Sequence, residues 1–523
     1  MSILSSRQYE ADYSPFVYED SGGWSTEEKV RKSLKYVELG SDGQAEAGGF
    51  PVISDGKHVY VCDNDQHCVS YGLSSAGKTR FLFMPAIRIL AESGENFFVN
   101  DPKGEIYSRL SGMLYRKGYN VIRVDFRDMN ADCYNPLDYP AALYKSGRTD
   151  KAMLLLNNLV NTLAAPQKAT TKDAFWPAEG SAWASATGAI MLDSYPPEAI
   201  NLLNWADFNS RQSAELLESV FPYMPDSSTA KKGALQVCSS AENTLRSILV
   251  TAASFLSPFL QNDRLVAMMS QSSFRLEDLL KPKTALFLIT DDTVSTADDI
   301  VSVMISQIQT FLVDAAFHSP SGKLDTRFNF IIDEFQSLSI PDMDKALATH
   351  RSRNIRYFLC VQSYAGLKAR YPYPETLLAN CGNIFFLGSS EQELLDKICA
   401  LCGKTNISYD GNERDLVTPA DLAAMKTSWP YKQVLYLNPM SGIRFCTQLP
   451  CIDLYDTGTY PPARRTFTQE NIRSYTVSEY VADVRANRIP VAFTGKTVRE
   501  ILAGSGKQRR STKSKMANIH ADD

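Results

Sequence analysis

The chain has 523 residues, of which 44% are hydrophobic and 22% are charged, and its formal net charge is -5. This length accommodates two or three domains, or one large fold with an insertion, and the composition is that of an ordinary globular protein. The slightly acidic balance excludes nucleic-acid binding through overall charge, so any such contact must come from local basic patches or a lined channel.

Two further classes are disfavoured by the pattern of apolar residues. No apolar run approaches the ~20 residues needed to span a bilayer, and the N-terminus lacks the apolar core of a signal peptide. The sequence therefore predicts a soluble, cytoplasmic protein that reaches the inner face of the cell membrane only through partners.

The first part of the chain changes character near residue 49. Residues 1–48 are polar and punctuated by Ser and Gly, with one short amphipathic patch, and are predicted to form a loosely attached N-terminal arm. Over residues 49–149 apolar strands alternate with helices, which favours a parallel α/β sheet covered on both faces. We interpret 49–149 as the first part of a nucleotide-binding domain.

A phosphate-binding loop lies inside this first part. The stretch Tyr71–Arg80 fits the pattern G-x-x-x-x-G-K-[ST] and stands between a predicted strand and a predicted helix. Its glycines allow a tight turn in which successive N–H groups face one concavity, and the following helix adds the positive end of its dipole. Lys78 is predicted to reach the β- and γ-phosphates of ATP, and Thr79 to bind Mg²⁺. The predicted nucleotide-binding set is Gly72, Leu73, Ser74, Ser75, Ala76, Gly77, Lys78, Thr79 and Arg80.

The middle and the end of the chain complete the predicted organisation. Residues 150–282 show helical spacing without a convincing strand, which indicates an all-α domain inserted into the α/β fold. Strands and helices alternate again over 283–465, the second part of the nucleotide-binding domain. Residues 466–523 form a C-terminal extension whose tail, 507–515, is basic. A solvated tail is its default interpretation, with weak affinity for DNA or an anionic surface as the alternative.

The second part supplies the other half of an ATPase site. The apolar strand at 328–332 ends in Asp333 and Glu334, at the strand end where ligands bind in α/β sheets. Asp333 is predicted to help hold Mg²⁺, and Glu334 to orient and polarise the attacking water. Gln362 follows another strand, and its amide is predicted to sense the γ-phosphate or that water.

Two arginines precede the strand that ends at Gln362. A guanidinium delivered across a subunit interface would stabilise charge on the transferring phosphoryl group, and Arg351 and Arg353 are the candidates, with Arg351 favoured. The alternative is a solvated basic turn. Cys399 and Cys402 have metal-like spacing, but their helical apolar surroundings favour buried free thiols.

Several further motifs occur in a fixed order along the chain. They are Asp101–Glu105, Tyr134–Leu137, Phe175–Trp176, Ile332–Phe335, Arg351–Ile355, Gln362–Ser363 and Leu378–Cys381. With the phosphate-binding loop and the acidic strand end, these motifs resemble the type IV coupling proteins, the TraG/VirD-type conjugative DNA transfer ATPases related to the FtsK and HerA translocases. The resemblance covers roughly residues 50–450, and its most specific motif is the sequence D-P-K-G-E that follows a strand.

The resemblance implies a RecA-like motor domain interrupted by an all-α domain that is associated with substrate selection. It also implies a hexameric ring around DNA, which would deliver a relaxase-bound single strand to a type IV secretion channel. Asp101 and Lys103 match the family signature and are carried as nucleotide-site candidates, either supporting the phosphates or coupling nucleotide state to a pore loop. Relatives usually carry N-terminal transmembrane helices, so we expect a separately encoded membrane subunit as a partner.

Two alternatives remain open at this stage. The chain could be a motor of the FtsK/HerA kind, or a protein-substrate coupling ATPase, acting outside conjugation. It could also be a nucleotide-gated adaptor that does not hydrolyse ATP, although the Asp333–Glu334 pair and Gln362 argue against a non-hydrolytic role.

Overall fold

The strands and helices lie where the alternation of apolar segments predicts most of them. The computed structural model describes residues 23–40, 44–73, 76–290, 296–405, 414–464, 467 and 472–504. Within these ranges the strands are β1 (Lys35–Glu38), β2 (Phe50–Ser54), β3 (His58–Cys62), β4 (Cys68–Tyr71), β5 (Asn96–Asn100), β6 (Asn120–Asp125), β7 (Thr284–Ile289), β8 (Phe328–Ile332), β9 (Ile355–Val361), β10 (Asn383–Phe386), β11 (Lys404–Thr405), β12 (Arg414–Asp415), β13 (Thr427–Ser428), β14 (Tyr431–Asn438) and β15 (Ile443–Pro450).

The helices of the same ranges are divided between two compact units, which are described in turn below. They are α1 (Glu27–Ser33), α2 (Met84–Ser93), α3 (Glu105–Arg116), α4 (Asp138–Lys145), α5 (Thr149–Thr170), α6 (Phe175–Ser194), α7 (Leu202–Ala206), α8 (Arg211–Glu218), α9 (Thr229–Cys238), α10 (Glu242–Leu260), α11 (Asp263–Met269), α12 (Thr296–His318), α13 (Met343–Thr349), α14 (Tyr364–Arg370), α15 (Pro374–Leu378), α16 (Gln392–Cys402), α17 (Pro419–Ala423) and α18 (Val477–Arg485).

A ten-stranded sheet forms the centre of the first compact unit, residues 1–131 and 275–466. Its strand order is β13-β14-β10-β4-β9-β8-β5-β7-β6, and β15 pairs with β14. The seven strands from β10 to β6 are parallel, and β14 joins them antiparallel. Strands such as β5, β7, β8 and β9 are buried along their whole length, as continuous apolar runs in a covered parallel sheet should be. The predicted α/β class with a mainly parallel sheet is confirmed.

The N-terminal segment is more ordered than the polar composition predicts. We expect residues 1–48 to be a loosely attached arm, yet β1 pairs antiparallel with β3 over four residues. Val30 on α1 is 0% exposed, and Thr26 caps that helix by accepting the Lys29 N–H. The described part of this segment, residues 23–40 and 44–48, therefore contributes to the first unit, and the idea that it is loose is wrong there.

The second compact unit is helical and comprises residues 132–274 and 467–523. All of residues 132–274 are described, and they contain helices and turns but no strand; the sequence predicts an all-α insertion in this part of the chain. The sequence places its limits at 150 and 282, but α4 already packs with α5 and α6 at its start. The long helical stretch expected at 230–260 is divided into α9 and α10, because Ser239 and Ser240 interrupt it and the Ser239 hydroxyl bonds back to the Leu235 carbonyl.

The described part of the C-terminal extension, residue 467 and residues 472–504, belongs to this helical unit. The Val477 N–H donates to Asp207 at 2.7 Å, and the rings of Tyr195 and Tyr475 meet edge to face with centroids 4.8 Å apart. Tyr480 on α18 is 0% exposed. Because these contacts join residues far apart in sequence, local patterning alone does not predict them. The basic tail at 507–515 lies outside the described residues.

One helix among the described residues is long and apolar enough to cross a membrane by composition alone. It is Asp298–His318, with a mean hydropathy of 1.6 over its most apolar window, 72% of which is buried inside the protein. The helix is thus also accounted for as a core helix of the first unit.

Candidate nucleotide-binding site

The site is built where four neighbouring parallel strands end. In the order β4-β9-β8-β5, the chain leaves the sheet into the phosphate-binding loop, Gln362, Asp333 and Asp101 respectively. Because carboxyl ends of parallel strands meet at one edge, the motifs recognised separately in the sequence are brought together there. Strand β9 lies between β4, which leads into the loop, and β8, which ends before Asp333. Gln362 is therefore placed between the loop and the acidic pair.

The two glycines of the loop lie in close contact with neighbouring side chains. Gly77 has φ +78°, and a Cβ at this position would lie 2.7 Å from the Phe81 ring. A Cβ on Gly72 would lie 3.1–3.2 Å from the side chains of Ala76 and Lys78. A side chain at Gly77 would therefore distort the loop, whereas one at Gly72 would require its neighbours to shift by a few tenths of an ångström. Ser74 and Ser75 lie outside the described residues.

The remaining loop residues are held by backbone bonds to adjacent strands and to the loop itself. Leu73 donates its N–H to the Gly388 carbonyl at 3.2 Å, and Ala76 donates to the Leu73 carbonyl at 2.9 Å. The chain then enters a π-helical turn, Thr79–Phe83, that leads into α2. Turns of this kind are frequent at functional sites.

Lys78 and Thr79 connect the loop to the acidic strand end. Lys78 is 4% exposed, and its ammonium donates to the carbonyls of Gly72 at 2.6 Å and Leu73 at 2.8 Å. The Thr79 hydroxyl donates to a carboxylate oxygen of Asp333 at 2.9 Å. The two residues predicted to share Mg²⁺ are thus in direct contact, although 254 positions separate them in the sequence.

Glu334 is held by Gln362 across the edge of the sheet. The Gln362 amide nitrogen donates to Glu334 Oε1 at 2.6 Å. Glu334 itself adopts a left-handed conformation, with φ 70° and ψ 45°, which is uncommon for a residue other than glycine. Strained backbone of this kind clusters at functional sites. The Glu334 carboxylate and the Gln362 amide are therefore paired at the strand ends.

Two residues that sequence reasoning missed support this arrangement. Asn100, at the end of β5, donates its side-chain N–H to the Asp333 carbonyl at 3.0 Å. Gln336 accepts the backbone N–H of Gln362 at 3.1 Å. The position of Asn100 at a strand end, next to the D-P-K-G-E motif, is the signal that could have revealed it. Gln336 lies in a short 3₁₀ turn and carries no such signal.

Asp101 and Lys103 differ in their surroundings. Asp101 is 1% exposed, and its carboxylate accepts the Tyr107 N–H at 2.8 Å, at the start of α3. Burial raises the pKa of Asp101 to about 7, and the carboxylates of Asp333 and Glu105 act in the same direction. Lys103 is exposed, and its carbonyl accepts from the Arg127 guanidinium at 2.8 Å. Asp101 therefore lies beside the acidic pair and anchors α3.

Arg351 and Arg353 lie at the other edge of the sheet. They form a short 3₁₀ turn immediately before β9, whose seven residues run toward Gln362 and span about 20 Å. Arg351 has a half-exposed side chain, 4.0 Å from Asp65. The structure thus does not bring these arginines to the phosphate-binding loop of their own chain.

The donor set fits a magnesium nucleotide. Mg²⁺ retains several waters and takes one or two protein oxygens besides phosphate oxygens, which matches the Thr79 hydroxyl and the Asp333 carboxylate. Among the described residues there is no cluster of three or more metal-ligating side chains. Cys399 and Cys402 on α16 are free thiols, and Cys402 is fully buried.

Arg80, the last residue of the predicted nucleotide-binding set, contacts Asp453 and Trp429. Its guanidinium donates to Asp453 at 2.6 Å and lies over the ring of Trp429, with Cζ 5.0 Å from the ring centroid. Asp453 also accepts from Arg109 at 3.0 Å. This group extends the edge of the site toward β14.

Comparison with known proteins gives a consistent family. The model of the family described as Type IV secretory system Conjugative DNA transfer matches residues 19–439. No curated protein sequence matches the chain.

The fold is that of solved conjugative coupling proteins. The bacterial conjugative coupling protein TrwBdeltaN70 in complex with sulphate aligns with TM-score 0.61 and 16% identity, covering 88% of this chain and 99% of that chain. TrwB with the non-hydrolysable ATP analogue ADPNP aligns with TM-score 0.59 and 14% identity, covering 88% of this chain and 99% of that chain. TrwB with ADP and Mg²⁺ aligns with TM-score 0.59 and 15% identity, again covering 88% of this chain and 99% of that chain. These likenesses show the fold, a RecA-like P-loop NTPase domain with an all-α part.

Proposed function

The chain belongs to the type IV secretory system conjugative DNA transfer family, and we propose that it is an ATP-hydrolysing coupling protein. In this role it recruits relaxase-bound DNA and delivers it to a type IV secretion channel during conjugative transfer. The observation that carries the proposal is the pair of contacts at one sheet edge, Thr79 to Asp333 and Gln362 to Glu334. An adaptor that only binds nucleotide has no need of the second contact.

ATP binding is assigned to the phosphate-binding loop. An ammonium group has three N–H donors, and Lys78 uses two of them on the carbonyls of Gly72 and Leu73. The remaining donor, and those released when a phosphate displaces a carbonyl, are available to the β- and γ-phosphate oxygens. The complexes of TrwB with ADPNP and with ADP and Mg²⁺ support the same ligands here.

Thr79 and Asp333 are the residues that would hold Mg²⁺. When bound, the ion neutralises charge on the β- and γ-phosphates as the terminal phosphoryl group leaves. The Asn100 amide donates to the Asp333 carbonyl and so helps to hold the Asp333 backbone at the strand end.

Glu334 is assigned as the residue that orients the attacking water and accepts its proton. Gln362 keeps the Glu334 carboxylate turned toward the strand end by donating to Oε1, which leaves the other carboxylate oxygen for the water. The Gln362 backbone N–H donates to Gln336, and the Gln362 side chain donates to Glu334. A change at the γ-phosphate that moves the Gln362 side chain would therefore also move the Glu334 carboxylate.

The arginine that completes the site is proposed to come from a neighbouring copy. Arg351, or else Arg353, lies at the far end of β9 from its own loop, and the Arg351 side chain is half exposed. A homo-hexameric ring would place this edge of one subunit against the nucleotide edge of the next, and the charge of the guanidinium would stabilise the transferring phosphoryl group. DNA would pass through the ring, held by sequence-independent backbone contacts.

The remaining assignments follow from the family. The all-α unit is proposed to select the transferred substrate. Since the DNA strand and ATP are both cytoplasmic, the protein is proposed to act at the inner face of the cell membrane, through the secretion channel or a separate membrane subunit.

The decisive experiment is ATP hydrolysis by the purified protein with no DNA, with single-stranded DNA and with double-stranded DNA. We expect DNA to stimulate turnover in the wild type. Lys78→Ala should lose ATP binding and turnover, whereas Glu334→Gln should bind ATP and not hydrolyse it. ATP binding without turnover by the wild type under every DNA condition, in a verified oligomer, would favour the adaptor. Rapid turnover by Glu334→Gln would refute the role given to that residue.

A further inference from the structure

An exposed tryptophan lies at the nucleotide edge of the sheet and has no part in the chemistry described so far. Trp429 is in the two-residue turn between β13 and β14, and 61% of its surface is exposed. Leu435 of β14 pairs with Phe386, which pairs with Tyr71, the last residue before the phosphate-binding loop. Because β14 is antiparallel, its earlier residues continue past that edge, and the turn projects about 13 Å beyond it, on the side of the loop.

Trp429 contacts the residues that follow the loop. The Arg80 guanidinium lies over the indole with Cζ 5.0 Å from the ring centroid, and the Phe81 ring meets it edge to face at 6.2 Å. Arg80 comes directly after Thr79, so the stack begins one residue from the predicted Mg²⁺ ligand. A planar cation and a planar ring are thus held side by side next to the phosphate site.

The guanidinium of this pair is fixed from a third side. Asp453, which follows β15, accepts from Arg80 at 2.6 Å and from Arg109 at 3.0 Å. Each oxygen of the Asp453 carboxylate therefore already has an arginine partner. The arrangement orients the plane of Arg80.

We propose that the Arg80–Trp429 pair is the platform on which the base of the bound nucleoside triphosphate packs. This inference rests on the proposed function, since it requires the triphosphate to occupy the loop. Bases stack on indole rings and on guanidinium planes irrespective of their hydrogen-bonding edges. The platform therefore accepts adenine and guanine alike, and it contributes to affinity through the base alone.

The test separates the base from the triphosphate. Binding of Mg²⁺ complexes of ATP, GTP and inorganic tripolyphosphate is measured by calorimetry for the wild type and for Trp429→Ala. We expect Trp429→Ala to raise the Kd of both nucleotides by roughly tenfold while the Kd of tripolyphosphate stays the same. Trp429→Phe, which keeps an aromatic face, should recover most of the nucleotide affinity.

Two controls make the outcome specific. Tyr115→Ala removes another exposed aromatic ring, 68% exposed, from the last turn of α3, and should change none of the three affinities. Addition of ATP should change the tryptophan emission of the wild type, whereas tripolyphosphate should not, and the ATP signal should vanish in Trp429→Phe although calorimetry still detects binding.

Failure of the inference differs from failure of the proposed function. Unchanged nucleotide affinity in Trp429→Ala, with normal binding by the wild type, would overturn the platform. An equal loss of tripolyphosphate affinity would also overturn it, because Trp429 would then be supporting the loop. If the wild type bound neither ATP nor tripolyphosphate, the assignment of the nucleotide site itself would be wrong.

Discussion

Asp101→Asn is expected to change how the stability of the protein depends on pH. Burial raises the pKa of this carboxyl from the ordinary 3.8 to about 7 in the folded protein. Between these values the folded chain holds one proton more than the unfolded chain. The stability contributed by this group is therefore fully present below about pH 4 and is lost as the pH rises through about 7.

The size of the effect follows from the difference in pKa. The folded and unfolded pKa values differ by about three units, which corresponds to about 4 kcal/mol in the free energy of unfolding between about pH 4 and pH 7. About two of these three pKa units lie above pH 5. Raising the pH from 5 to above 7 therefore lowers the free energy of unfolding by about 3 kcal/mol. A unit of roughly 300 residues has an unfolding entropy of about 0.6 kcal/mol/K, so the loss from pH 5 to 8.5 corresponds to about 4 °C in Tm.

Asparagine has nearly the same shape, cannot ionise, and keeps an oxygen that can accept the Tyr107 N–H. In thermal unfolding of the nucleotide-free protein, we expect the Tm of Asp101→Asn minus that of the wild type to rise by about 4 °C from pH 5 to 8.5. Asp344→Asn, a substitution of an exposed residue, is the control. The Tm of this variant minus that of the wild type should not change between pH 5 and 8.5. A difference for Asp101→Asn that is flat or falls would show that the carboxylate is ionised in the folded protein, with the helix N–H groups outweighing burial.

Three further changes test the nucleotide site. Gln362→Ala should lower kcat on the order of 100-fold with little change in KM in steady-state ATPase assays, because Glu334 loses its orienting partner. Gly77→Ala should abolish binding of a fluorescent ATP analogue, since its φ of +78° is strained for alanine; normal binding would contradict the loop geometry. Arg351→Ala and Lys78→Ala should each be inactive alone, yet mixing them should restore activity at about a quarter of the interfaces if subunits exchange at random. No recovery in verified mixed oligomers would exclude a role in trans.

Much of the nucleotide site could be predicted because each motif is local. The strand that ends at Asp333 and the turn that contains Lys78 are recognisable from about ten residues each, and strand polarity then brings them to one edge. Thr79 and Asp333, which this argument brings to one edge, are joined there by a hydrogen bond. The helical pattern over residues 150–282 is likewise a local feature, because it rests on the periodicity of apolar residues.

Features that depend on contacts between distant segments could not be predicted. Arg80, Trp429 and Asp453 meet only because β14 and β15 fold back beside β10, and nothing near any one of the three indicates the other two. The N-terminal segment appeared loose because its few apolar residues, such as Val30, gain their role only when β1 pairs with β3. Local periodicity carries no information on such long-range pairing.

The polarity of β9 decides what a single chain can and cannot assemble. Gln362 leaves one end of this strand and contacts Glu334, whereas Arg351 precedes the other end, about 20 Å away. A parallel strand buried between β4 and β8 cannot reverse its direction without dismantling the sheet. A motion that preserves the sheet therefore leaves Arg351 far from its own phosphate-binding loop. If a guanidinium from this segment stabilises the transferred phosphoryl group, catalysis must depend on contact between subunits, and hydrolysis becomes a property of the assembly.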